Sequence, residues 1–89
     1  MPSRRHPYPP WALARRSALG HRIAALRQSA GLSQEQLAER VLVERRSIIR
    51  WENGERDPGH LDLLLLARAL GTTWPELLGE VPSGGEATD

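Results

Sequence analysis

Cysteine is absent from this chain, so neither a disulfide framework nor a thiolate metal site can form. Lysine and phenylalanine are absent as well: all twelve basic residues are arginine, and three tryptophans and one tyrosine make up the aromatics. No apolar run is longer than Leu63 to Ala67, far short of the roughly 20 residues that span a bilayer. No apolar stretch follows the N-terminal arginines, so no secretory signal is expected there, and the chain reads as a soluble cytoplasmic protein without a membrane partner. Reactive chemistry is equally thin. His6, His21 and His60 lie in three separate segments without metal-ligand spacing, and no glycine-rich phosphate loop occurs, since Gly84-Gly85 falls near the C-terminus. Nothing marks an activated nucleophile. The expectation is no enzyme, no catalytic residue, no metal and no cofactor. At 89 residues, one small hydrophobic core has to carry the stability.

What the chain does have is charge, unevenly spread. The formal net charge is only +1, yet residues 1–34 hold Arg4, Arg5, Arg15, Arg16, Arg22 and Arg27 with no acid, while residues 79–89 hold Glu80, Glu86 and Asp89 with no base. Arginine presents a planar, bidentate donor fork that matches phosphates and guanine edges. An arginine-only basic set can equally reflect genome base composition, and composition alone leaves both readings open.

Punctuation along the chain predicts five short helices. Four prolines (Pro2, Pro7, Pro9 and Pro10) exclude regular helix before Pro10, and residues 1–16 read as a basic, proline-rich arm. Leu19, Ile23, Leu26 and Ala30 share one face of a first helix that stops at Gly31; either Ser17 caps its start, or Pro10 opens a longer helix from Trp11. Ser33 caps a second helix from Gln34 to about Arg40, with Gln36 as its capping-box partner and Leu37 and Val41 facing inward. After a turn at Val41 to Val43, a third helix runs from Glu44 to about Asn53 and ends at Gly54. A fourth follows from about His60 to Leu70 and stops at Gly71; Thr73 caps a fifth that contains Pro75, Leu77 and Leu78. Residues 17–79 form the expected folded domain, and residues 80–89 an expected disordered acidic tail.

In the third helix Ile48 and Trp51 point inward, which leaves Arg45, Arg46, Ile49 and Arg50 on the opposite face. Three arginines on one short face repel unless anions screen them, and DNA supplies anions in matching geometry; a solvated basic helix face is the plain alternative. The segment Leu32-Ser-Gln-Glu-Gln-Leu-Ala-Glu-Arg-Val41, then Val43 through Ile48-Ile-Arg-Trp-Glu-Asn-Gly54, resembles the phage-repressor-like (Xre/Cro) helix-turn-helix family. Arg22-Ile-Ala-Ala-Leu-Arg-Gln-Ser-Ala-Gly31 before it and Leu66-Ala-Arg-Ala-Leu-Gly71 after it extend the resemblance over roughly residues 19–79. It implies an all-α, compact five-helix, lambda-repressor-like domain whose helix-turn-helix, at about residues 33–52, places the third helix in the DNA major groove.

The outward face of the third helix, the charge of the arm and, for Gln34, Arg27 and Glu52, the resemblance suggest roles. Arg46 and Arg50 are expected to read bases, Arg45 to read bases or phosphate, and Gln34 to grip a phosphate beside its helix N-terminus. Ile49 either meets a thymine methyl or is an ordinary exposed apolar residue, and Ser47 either reaches DNA or bonds its own backbone. Arg27 and Glu52 match the positions of a structural ion pair that aims the third helix. Arg4, Arg5, Arg15 and Arg16 are expected to follow the DNA backbone or enter a minor groove, or to be a solvated tail. Two departures stand out. Leu42 occupies a turn position where glycine is usual, at a cost of about 1 kcal/mol or more. Glu44 stands where a Ser or Thr cap is usual; it suits the helix N-terminus but would repel phosphates, or accept from a cytosine amino group.

On the fourth helix Leu63, Leu66, Ala67 and Leu70 form the core face, whereas Leu61 and Leu65 lie on the far side. That second stripe pairs with its copy in a homodimer, binds another protein, or is covered by Tyr8 and Trp11. The functional expectation is a sequence-specific, nucleoid-associated DNA-binding regulator of the repressor kind, whose partner is double-stranded DNA. Two alternatives stay open: an antitoxin that represses its own operon and binds a toxin, and a protein-interaction adaptor that keeps the fold without reading DNA.

Overall fold

Proline at a helix start and glycine past its end set most of the boundaries in residues 7–80, the part of the chain that the computed structural model describes. Five helices and no strand occur among the described residues: α1 (Pro10–Ser29), α2 (Gln34–Val41), α3 (Arg45–Glu52), α4 (His60–Leu70) and α5 (Trp74–Leu77). Pro10 opens α1 because its missing N–H is one that a first helical turn leaves unbonded anyway. Of the two possible starts, the chain takes the earlier one. The arm expected over residues 1–16 is therefore helix from Pro10 onward; Arg4 and Arg5 lie outside the described residues, as do residues 81–89 of the expected acidic tail.

The stops and caps are local. Gly31 and Gly71 take positive φ values of 73° and 72° just past α1 and α4, where the backbone turns back and residues with a Cβ are strained. Before α2, the Ser33 hydroxyl accepts from the Gln36 N–H at 3.0 Å, and the Gln36 amide oxygen accepts from the Ser33 N–H at 2.8 Å. Thr73 and Glu76 repeat the device at α5. There the Thr72 hydroxyl donates to Glu76 at 2.7 Å and, with help from the Thr73 backbone N–H, holds the Glu76 carboxyl below the usual carboxylate range. Between α2 and α3, Leu42 adopts the left-handed conformation (φ 63°, ψ 40°), the one non-glycine residue to do so among the described residues.

Each helix sends its apolar face to one core. Ile23, Leu37, Val41, Ile48, Leu66 and Leu77 are fully enclosed, one or two from every helix, with Trp51, Ala67 and Leu70 beside them. Leu63 is only partly buried, and Ala30, expected on the inner face of α1, is exposed because α1 has ended there. Gly20 lets the middle of α1 ride directly over the end of α3. A Cβ at that position would collide with the Trp51 carbonyl oxygen and stand 2.6 Å from that of Glu52. No helix of the described residues is long and apolar enough to cross a membrane.

Candidate nucleic-acid interface

Helix α3 has two ends with opposite characters. Its C-terminal end is locked into the fold. The Arg27 Nε donates to Glu52 Oε2 at 2.7 Å and its NH2 to Oε1 at 3.2 Å, a bidentate pair whose side chains are only 12% and 5% exposed. Arg27 NH1 also reaches the Leu32 carbonyl at 2.9 Å, which ties the pair to the start of the α2 region. The Gln34 side-chain amide completes the network by donating to Glu52 Oε1 at 3.0 Å. From further back along α1, the Arg16 Nε donates to the Gly54 carbonyl at 2.8 Å, satisfying a backbone acceptor just beyond the end of α3.

The N-terminal end of α3 faces solvent. Glu44 occupies its N-cap position in extended conformation, but the carboxylate makes no capping bond. It accepts instead from Arg46 Nε at 3.1 Å. Arg45, Arg46 and Arg50 are exposed, whereas Ser47 and Ile49 are half-buried at the edges of the same face. Neither Arg45 nor Arg50 has an acidic partner among the described residues. Beside this face, Arg27, Ser33, Gln34, Glu35 and Arg45 line an open hollow where the N-terminus of α2 meets the start of α3.

Several expected site residues stand elsewhere than anticipated. Arg15 and Arg16 belong to α1 rather than to an extended arm, because Pro10 starts the helix ahead of them. Arg16 is committed to Gly54, and Arg15 lies 3.8 Å from Glu80, on the side of the domain where α5 ends. Gln34 is half-buried with its amide turned inward, not a freely extended grip. Leu61 and Leu65 remain exposed, at 71% and 36%, and Trp11 is itself 70% exposed, so Trp11 does not cover the α4 stripe. Leu64, one residue from Leu65, widens that stripe. The roles of Gly20 and Arg16 were missed in the sequence. A glycine in the interior of an otherwise well-patterned helix is costly, and that cost was the available signal for close backbone approach.

Known proteins share this fold. The helix-turn-helix family pattern matches residues 23–77, most of the described domain. The chain belongs to the helix-turn-helix family, in its phage-repressor-like branch. It is similar to the HTH-type transcriptional activator BcrR of Enterococcus faecalis, 37% identical over 57 residues that cover 64% of this chain and 28% of BcrR. An uncharacterized HTH-type transcriptional regulator of Methanothermobacter thermautotrophicus is 49% identical over 45 residues, 51% of this chain and 65% of the relative. The chain thus spans less than two thirds of either relative. Among solved structures, the restriction-modification controller protein C.AhdI of Aeromonas hydrophila matches with a TM-score of 0.69 at 36% identity, over 72% of this chain and 97% of that one. The clp gene regulator ClgR of Corynebacterium glutamicum matches with a TM-score of 0.70 at 27% identity, over 74% and 70% of the two chains.

Proposed function

We propose that this chain is a sequence-specific DNA-binding transcriptional regulator that reads the major groove with α3. One observation carries the reading. Arg45, Arg46 and Arg50 stand exposed on the outer side of a helix whose far end is locked to α1 by the Arg27–Glu52 pair. A fork of guanidinium donors fixed on a rigid element recognises adjacent acceptors, and guanine O6 and N7 are such acceptors. Arg46 and Arg50 read bases; Arg45 and the hollow at the α2 N-terminus, with the second N–H of Gln34, take a phosphate. The transcriptional regulators among the relatives support the same class. We read the regulation as repression, because occupying the groove at a promoter is by itself enough to exclude another protein from it.

Selecting bound sequences from a random DNA pool tests the reading. The wild type should return a defined motif. Arg46→Ala and Arg50→Ala should each relax one guanine of that motif, a loss of about 1–3 kcal/mol of discrimination per bidentate contact. Gln34→Ala should weaken binding to all sequences alike. If Arg46→Ala and Arg50→Ala leave both motif and affinity unchanged, α3 is not the reader.

A further inference from the structure

Resting on that regulator reading, we propose that Glu44 and Arg46 act as one unit that reads both edges of a G·C pair, with Glu44 setting the requirement for cytosine. The carboxylate of Glu44 bonds no backbone group of the fold. It sits at the N-cap of α3 yet makes no capping bond, and its side chain is 77% exposed. An ion pair between groups that exposed adds little to stability. What the pairing does fix is the position of Arg46. Glu44 Oε1 takes the Nε hydrogen of Arg46 at 3.1 Å, and no other hydrogen bond engages either side chain among the described residues. The two terminal amino groups of Arg46 therefore remain as a fork of donors, and Glu44 Oε2 remains as an acceptor beside them.

The major groove contains one base pair with the complementary order. Guanine presents N7 and O6 as neighbouring acceptors, and the cytosine paired with it presents the N4 amino donor next to O6. An A·T pair offers no two neighbouring acceptors on one base to the fork, and a thymine O4 or a phosphate oxygen would face the carboxylate with like charge. Glu44 thus acts in two ways at the tip of α3. It rewards cytosine, and it penalises any register in which Arg46 drops onto the phosphate backbone, because the carboxylate must then be desolvated without a donor. Arg50 reads its own base independently; Glu44 is the residue that holds Arg46 to one base pair rather than to the backbone.

The experiment compares the wild-type chain with Glu44→Ala and Glu44→Thr. Threonine offers α3 a good N-cap and has no carboxylate, so a loss of cytosine preference in both variants is not a folding effect. Each is measured for its selected motif and for the salt dependence of binding to random-sequence duplex. In both variants the preference for that G·C pair at one motif position should fall by roughly tenfold to a hundredfold. Binding to random-sequence duplex should tighten, and the slope of log K against log salt should steepen by about 0.9 as Arg46 becomes free to neutralise a phosphate. A wild type with a defined motif, whose Glu44→Thr copy selects the same motif with the same salt slope, overturns this inference alone. A wild type that selects no motif overturns the regulator reading and this inference with it.

Discussion

Leu42 carries a backbone conformation for which its side chain gives no compensation. At φ 63° its Cβ crowds the following carbonyl, which costs roughly 1–2 kcal/mol in an L-residue. The side chain is 83% exposed, so almost no burial offsets that strain. Replacing it with asparagine, which tolerates this region, should raise the free energy of unfolding by about 1 kcal/mol; glycine should gain somewhat less, because it also loosens the unfolded chain. Urea denaturation of the three proteins checks this, and an unchanged or lowered midpoint for Leu42→Asn would show that the strain is relieved some other way. Gly20 is the reverse case. Mid-helix glycine is normally inferior to alanine by about 0.5–1 kcal/mol, yet here a Cβ has nowhere to go under the Glu52 carbonyl. The strained turn was legible in the sequence, because a leucine between two valines stood where the family has glycine. The crowding at Gly20 was not, because it depends on which carbonyls another helix lays across α1.

Among the elements, α1 and α3 share a polar coupling as well as the core. The Arg27–Glu52 pair is nearly buried, so truncating one partner strands the charge of the other. Glu52→Ala should cost about 3–5 kcal/mol of stability, a large part of what a domain this small has to spare. An Arg27→Met, Glu52→Leu double variant should lose less than either single variant, since no unpaired charge remains. Denaturant titrations of the wild type, Glu52→Ala, Arg27→Met, Glu52→Leu and the double variant check both expectations; a Glu52→Ala protein within about 1 kcal/mol of wild type would mean that the pair behaves as an exposed one. Helix ends were readable from Ser33, Gly31, Gly54 and Gly71, whose effects act within a turn. The start of α1 was ambiguous for a physical reason. Pro10 and Ser17 are both sound starts locally, and the chain takes the first, where Arg15 and Arg16 of the added turns engage Glu80 and Gly54. Sequence pattern likewise put Gln34 and Glu44 on the expected DNA-facing side. It did not show that Gln34 turns inward to Glu52 or that Glu44 engages Arg46, because such rotamers are chosen by neighbours in space.

At the scale of the whole molecule, the described domain leaves an apolar stripe of α4 uncovered. Leu61, Leu64 and Leu65 emerge along one side of α4, with Arg68 one turn further on. Pairing of that stripe with a second copy would present two reading helices to half-sites about 34–36 Å apart, the spacing of one DNA turn. Sedimentation of the wild type should show self-association that a Leu61→Ser, Leu65→Ser double variant loses while its helical circular dichroism stays the same. A wild type that remains monomeric at every concentration, on a single half-site as well as free, would argue against pairing. The two sides of α3 have a consequence for how such a molecule changes over time. The helix is fastened along one side, where Ile48, Trp51 and Glu52 are buried, and free along the other, where Glu44, Arg45, Arg46 and Arg50 stand exposed. On the DNA-reading function proposed above, those four residues can be rewritten with little cost to the core, so the address such a domain recognises could drift, or be redesigned, while the scaffold stays as it is.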